Sequence, residues 1–434
     1  MQDGFWKLGE HGTSVKREFL AGLTTFVTMA YIIIVNPAIL EAAVIPRDAS
    51  TTATILSAFF GTMVMGLYAK RPFAIAPYMG ENAFIAFTVV KVMGYSWQTA
   101  IGAVFIGGVL FTLLTLFRAR AWLARSIPPS LKIAFAGGIG LFLAFIGLSE
   151  TGIVTVGAPG APLHIGDFTE PAVLLALFGF LLIGLLMARK VRGSILIGIL
   201  ATAALAFLLK VAPLPERIVS MPPSLAPILF KLDVGGALTW GFASVILAVF
   251  VMDFVDTMGT LVGLSIKTDM VDEEGNLPEM EKPMLADALA TVAGALMGTS
   301  TTGTFLESAA GIEEGGRTGL TAVTTALLFL LALFLAPLFT AVPACAYGPA
   351  LIAVGMVMIT PLKMLKADDY TELIPAFTVI AFMSFTFNLG MGIAAGFVVY
   401  PLFKLATGRT REVSAGSWVL GLLCLLFFLF YPSY

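Results

Sequence analysis

The chain has 434 residues, 58% of them hydrophobic and only 12% charged, with a formal net charge of −2. Its mean hydropathy is +0.96. A soluble domain is about half apolar and a quarter charged, so a water-soluble globule is excluded, and the near-neutral charge offers nothing to nucleic acid.

Crossing about 30 Å of hydrocarbon takes roughly 17–25 apolar residues in a helix. Runs of this kind predict spans near 19–40, 51–69, 73–90, 97–117, 131–149, 170–188 and 193–211. A linker over 212–236 follows and includes the proline-rich stretch Pro213 to Pro227. Seven more spans are predicted near 237–264, 284–298, 301–313, 317–340, 345–361, 372–387 and 389–405, and an apolar stretch, 416–432, remains. The first run is too long for a signal-peptide core and lacks a small-residue cleavage site, so no cleavable signal is expected. The N-terminus is expected in the cytoplasm. With the sides then alternating, 20 of the 25 Lys and Arg fall on the cytoplasmic side. Arg47, Lys91, Lys210, Arg217 and Lys231 fall outside. That bias is the positive-inside rule.

An odd number of spans in each half makes the second half enter the membrane from the opposite side. The expectation is therefore an all-α polytopic membrane protein with about 14 transmembrane segments as a 7+7 inverted repeat. The first repeat is 1–211, the external linker 212–236 and the second repeat 237–411, with a C-terminal apolar segment over 412–434. The third span of each half is broken. Pro72, Pro77 and Gly80 interrupt one, and 299–311, rich in hydroxyls and glycine, interrupts the other. Irregular backbone at membrane depth is tolerated only inside protein or beside a cavity. Two breaks at matching positions therefore point to a binding site between them, with half-helix N-termini aimed at the solute.

The acidic loop 269–281 is read as a solvated connector, and Asp287, Glu313 and Glu314 as interfacial. Four acids remain at depth, Glu81, Asp253, Asp256 and Glu307, with no Lys or Arg among them. Asp253, Asp256, Thr257 and Thr260 share one face of the eighth span. Buried acids without basic partners need a ligand or a proton. The plain alternative is a set of helix contacts capped by threonine hydroxyls. Asn82, directly after the Gly80 break, either caps a half-helix or offers its amide to a solute. Phe84 and Phe305 flank the breaks and serve either packing or stacking on a planar ligand.

Four stretches, EFLAGLTTFVTMAYIIIVNP at 18–37, MGENAF at 79–84, MDFVDTMGTLVG at 252–263 and TFLESAAGIEEGGRTGLTA at 304–322, resemble the azaguanine-type purine permeases. These belong to the nucleobase–cation symporter superfamily with the uracil and xanthine permeases. The resemblance covers essentially the whole chain. It implies a core domain of spans 1–4 and 8–11 and a gate domain of spans 5–7 and 12–14. It also implies proton-coupled import of adenine, guanine or hypoxanthine across the cell membrane. Asp253, Glu307 and Asn82 match the family's purine-binding positions, with Gly80, Thr304, Phe305 and Phe84 around them. Asp256 resembles a second eighth-span acid needed for function, and Asp256, Asp253 and Glu307 are the expected coupling residues. Tyr78 and Glu81 depart from the family pattern, where a glycine and an apolar residue are more usual. The expected partners are a purine nucleobase, protons and the lipid bilayer; no nucleic acid is expected, and a homodimer is compatible with the chain.

Other classes fit less well. Four acids and no base at depth disfavour an anion transporter on the same fold. A membrane-embedded aspartyl enzyme needs two aspartates facing each other, whereas Asp253 and Asp256 share a helix. Cys345 and Cys424 lie in apolar runs and His11 and His164 in loops, so no metal site and no cofactor is expected. A passive channel would differ in showing no dependence of flux on the proton gradient.

Overall fold

Helices follow one another along nearly the whole computed structural model, which describes residues 5–117, 126–158, 161–215, 217–239, 242–267, 277–366 and 368–430. Lipid offers no hydrogen bonds to a backbone, so each apolar run satisfies its own N–H and C=O groups as a helix. Among the described residues, nine helices are long and apolar enough to cross a membrane. Shorter helices, among them Ser194–Leu208, Glu281–Met297 and Tyr370–Phe385, stand where the remaining unbroken spans were predicted. Most of the acidic connector 269–281 lies outside the described residues.

Span 1 comprises two helices, Val15–Met29 and Ile32–Glu41, joined at Ala30 and Tyr31. Span 2 starts at Arg47 and continues to Ala69. Span 8, Ala243–Lys267, begins later than its predicted edge because a separate short helix, Val234–Ala237, precedes it. Between spans 5 and 6 the chain forms a hairpin, Val154–Ala158 with Ala161–Ile165, an element the span reading does not anticipate. The β-branched Val154, Thr155 and Ile165 favour it. The last apolar stretch is a helix, Ala415–Phe430, packed on span 14, Leu389–Ala406.

The two broken spans meet. Span 3 consists of a strand, Ile75–Pro77, a short helix, Met79–Ala83, and a wider π-helical segment, Phe84–Val92. Span 10 consists of a strand, Thr302–Thr304, and a helix, Ser308–Glu313. The strands pair antiparallel, with Ile75 opposite Thr304, Ala76 opposite Gly303 and Pro77 opposite Thr302. The Tyr78 N–H donates to Thr301 O at 3.0 Å, and the Phe305 N–H to Ala74 O at 2.9 Å. Each break thus supplies the backbone partners that lipid cannot.

Around this ladder, span 9 (Glu281–Met297) packs against spans 2 and 4, span 11 (Gly319–Thr340) against spans 1 and 2, and span 8 against span 4 (Trp97–Leu116). Span 12 (Ala344–Ile359) packs against span 5 (Pro129–Glu150), span 6 (Pro171–Ala188) and span 7 (Ser194–Leu208). Span 13 (Tyr370–Phe385) packs against spans 5 and 14.

Candidate functional site

A cavity of about 590 Å³ opens beside the paired strands. Tyr78, Gly80, Thr304, Phe305 and Glu307 line it from the two breaks, Asp256 and Thr260 from span 8, and Tyr31 from the joint of span 1. Val354, Met358 and Pro361 close the far side, with Lys132, Ala136 and Ile195. The wall is mostly apolar with a few polar groups converging on it, the usual composition of a small-molecule site.

The aromatic part follows from the ladder. Tyr78 and Phe305 directly follow the two strands, and their rings lie nearly parallel, 8° apart in plane with centroids 6.1 Å apart. The Tyr78 hydroxyl donates to Thr304 O at 3.2 Å and lies 3.4 Å from the Thr257 hydroxyl. Gly303 is required here, because a Cβ on it would collide with the Tyr78 ring.

The predicted residues divide between the wall and the layer behind it. Gly80, Thr304, Phe305, Asp256 and Glu307 face the cavity. Glu307 takes a 2.5 Å hydrogen bond from the Tyr31 hydroxyl. Asp253 is buried behind the wall, its Oδ2 3.2 Å from the Thr291 hydroxyl. No hydrogen-bond donor among the described residues reaches its Oδ1. Asn82 donates to Asn36 Oδ1 at 2.6 Å, and Asn36 donates to Thr54 at 2.7 Å and Thr299 at 3.1 Å. Asn82 thus anchors span 3 to span 1, and its own Oδ1 has no donor among the described residues. Phe84 is fully buried in the core cluster. Glu81 is buried against Asp256, and no donor among the described residues reaches either of its oxygens.

Asp287 corrects an expectation. Read as interfacial, it is fully buried. It accepts from the Thr304 hydroxyl at 2.8 Å and from the Thr304 N–H at 3.1 Å. Helix Glu281–Met297 starts earlier than predicted, which puts Asp287 about 9 Å along its axis. The span 10 strand then folds over it. Asp287 therefore joins the acids gathered around the breaks, and a threonine-rich break on a neighbouring span was the signal for it.

The wall lies toward one end of the helices. Lys132 and Ile195 lie at the starts of spans 5 and 7, and Thr360 and Pro361 directly follow span 12, close to Lys363. At the opposite end, Arg47 ties spans together. Its guanidinium donates to Val342 O at 2.8 Å, pairs with Glu41 at 3.5 Å, and lies 5.7 Å from the centre of the Tyr347 ring. Tyr347 in turn donates to Glu150 at 3.3 Å.

Comparison with known proteins agrees with this architecture. The Escherichia coli K12 adenine permease AdeP is 41% identical over 434 residues, spanning 100% of this chain and 97% of that one. The Bacillus subtilis guanine/hypoxanthine permease PbuG is 39% identical over 437 residues, with 98% and 99% covered. Among solved structures, the transmembrane domain of a cyanobacterial bicarbonate transporter, BicA, superposes with a TM-score of 0.62 at 16% identity, covering 95% of this chain and 96% of that one. That likeness bears on the fold alone. The profile of the permease family that takes in the xanthine and uracil permeases matches residues 16–399. This chain, a multi-pass membrane protein, belongs to that permease family.

Proposed function

We propose that the protein imports purine nucleobases by proton symport with alternating access. The observation that carries this reading is the cavity beside the paired breaks, where carboxyls from spans 8 and 10 meet an aromatic pair. A purine is flat and nearly neutral, with N–H donors and ring acceptors along its edge. Carboxylates accept those N–H groups, and the aromatic rings present faces for stacking. The names of AdeP and PbuG point to the same solute class. Glu307 holds the solute from the wall with Asp256 beside it as a coupling acid, Asp253 and Asn82 act from just behind it, and Phe305 stacks.

Coupling to protons is supported by the gathering of the buried carboxyls Glu81, Asp253 and Asp287 around the breaks. Like charges crowded together in a buried place favour the protonated form of one of them. Release of that proton on one side of the membrane would link solute movement to the gradient. Alternating access is supported by the contacts of span 9 with spans 2 and 4, of span 11 with spans 1 and 2, and of span 12 with spans 5–7, which are in keeping with a core of spans 1–4 and 8–11 and a gate of spans 5–7 and 12–14. The cavity lies toward the lysine-rich end and the Arg47 contacts close the other, which corresponds to an inward-facing arrangement under the positive-inside expectation. The antiparallel ladder between the third and tenth spans suits the two-fold relation of a 7+7 inverted repeat.

The test is uptake of labelled adenine and hypoxanthine into proteoliposomes, with competition by a panel of nucleobases. Purines should compete and pyrimidines should not. A protonophore should abolish accumulation, while replacement of sodium should leave it intact. Uptake that stops without sodium and survives collapse of the proton gradient would overturn the coupling.

A further inference from the structure

We propose that Tyr31 is a positioning residue that fixes the Glu307 carboxyl for the solute, an inference that rests on reading Glu307 as a solute contact. Tyr31 lies at the turn between the two helical segments of span 1, Val15–Met29 and Ile32–Glu41. Its main chain is held there, because its carbonyl accepts from the Ile34 and Val35 N–H groups, each at 3.0 Å. The phenol is 1% exposed, and its hydroxyl donates to Glu307 Oε1 at 2.5 Å. Both side chains line the cavity.

Glu307 needs such a partner. It precedes the short helix Ser308–Glu313 at the end of the span 10 break. That helix is fixed against span 1, because Gly311 packs against Thr25 and Ala21 with no room for a side chain. The backbone of Glu307 is therefore set, but its side chain has three rotatable bonds and a large rotamer entropy to lose on binding. A donor on a rigid joint removes that freedom before the solute arrives. The Tyr31 hydroxyl occupies Oε1 and leaves Oε2 to meet a solute N–H. The turn within span 1 thereby joins the two paired breaks at the cavity, which the sequence motif around 18–37 does not by itself reveal.

The test is a double-mutant cycle read by equilibrium binding of adenine and hypoxanthine to purified protein, with the melting temperature of the unliganded protein recorded alongside. Tyr31→Phe removes one oxygen and no carbon, so the packing is retained. Losing the preorganised carboxyl should weaken binding three- to tenfold. In the Glu307→Gln background the same change should cost less than twofold, because the group it positions is gone. Glu307→Asp, which withdraws the carboxyl from the phenol by one methylene, should silence Tyr31→Phe as well. Additive losses, or full affinity in Tyr31→Phe where Glu307→Gln binds weakly, would overturn the inference. Unchanged affinity in Glu307→Gln would instead overturn the reading of Glu307 as a solute contact. A fall in melting temperature with affinity intact would assign Tyr31 a packing role.

Discussion

Asp253 and Asp256 are one helical turn apart on span 8, yet their surroundings differ. Asp256 faces the cavity beside Glu81, while Asp253 lies behind it against Thr291. The Thr291 hydroxyl also accepts from the Thr302 N–H at 3.0 Å, so Asp253 is one hydrogen bond away from the strand that shapes the site. Asp253→Asn replaces an acceptor oxygen with a donor in a buried network. Purine binding should weaken by about 1–3 kcal/mol, the cost of an unsatisfied buried polar contact. Asp256→Asn should leave measurable binding and impair transport, since the amide cannot take up and release a proton. Titration calorimetry paired with proteoliposome uptake separates the two, and near-normal binding by Asp253→Asn would remove that residue from the site. Outside the spans, Asp369 and Glu412 form a network with Arg409 that is open to titration. The Thr371 hydroxyl and Arg409 hold the Asp369 carboxyl at about 2, and Arg409 and Lys404 hold that of Glu412 at about 2. Both values are depressed, so the stabilisation is full above the ordinary carboxylate range and is lost as pH falls through about 2. The difference in melting temperature between the native protein and Arg409→Gln should hold from pH 7 to 5 and close between about pH 4 and 2. A gap that is still full at pH 2 would show that the carboxylates are not its source.

At the scale of elements, the helix of span 11 begins on a glutamate from span 1. Glu18 is fully buried. Its Oε1 accepts from the Arg317 N–H at 2.9 Å, and its Oε2 from the Thr318 and Thr321 N–H groups at 3.3 and 3.1 Å and from the Thr321 hydroxyl at 2.6 Å. A carboxylate at a helix start satisfies orphan donors and complements the dipole. Glu18→Ala should therefore cost about 2–4 kcal/mol, with Glu18→Gln recovering roughly half because it keeps one acceptor. Thermal unfolding in detergent measures both, and equal stability of the alanine variant would show that water replaces the cap. This contact also marks the limit of what a sequence can disclose. The spans are legible because lipid demands long apolar helices, and the breaks because Pro77, Gly80 and the run of threonines before Phe305 cannot make one. The cavity-facing positions of Phe305 and Glu307 follow from those breaks, and that of Asp256 from the polar face of span 8. Glu18 under span 11, Asp287 under Thr304, Tyr31 on Glu307 and Asn36 on Asn82 are tertiary pairings. Three of them join residues tens to hundreds of positions apart, and no local periodicity encodes them.

At the scale of the whole molecule, the cavity lies toward one end of the helices and Arg47 lies at the other. Its side chain is 19% exposed, and it joins span 2 to the segment before span 12 and to the Tyr347 ring within span 12. In the proposed alternating-access cycle span 2 moves against span 12, and that movement has to separate these contacts. Their strength should then set the population of the state open at that end. A cation–π contact contributes about 0.5–1 kcal/mol and a hydrogen bond from a charged donor about 1.5–3 kcal/mol before any replacement by water. Arg47→Gln keeps a polar amide and loses the charge, so a net change of about 1–2 kcal/mol is reasonable, or five- to thirtyfold in population. Val342 reports on it, being 1% exposed and giving its carbonyl to the guanidinium. With Cys345 and Cys424 replaced by serine, Val342→Cys should react slowly with a membrane-impermeant maleimide, and about five- to thirtyfold faster when Arg47→Gln is added. Purine should then bind more weakly from the lysine-rich end, because the state that offers the cavity there is less populated. Unchanged labelling, in a variant whose uptake also remains normal, would show that Arg47 fastens the helices without governing access.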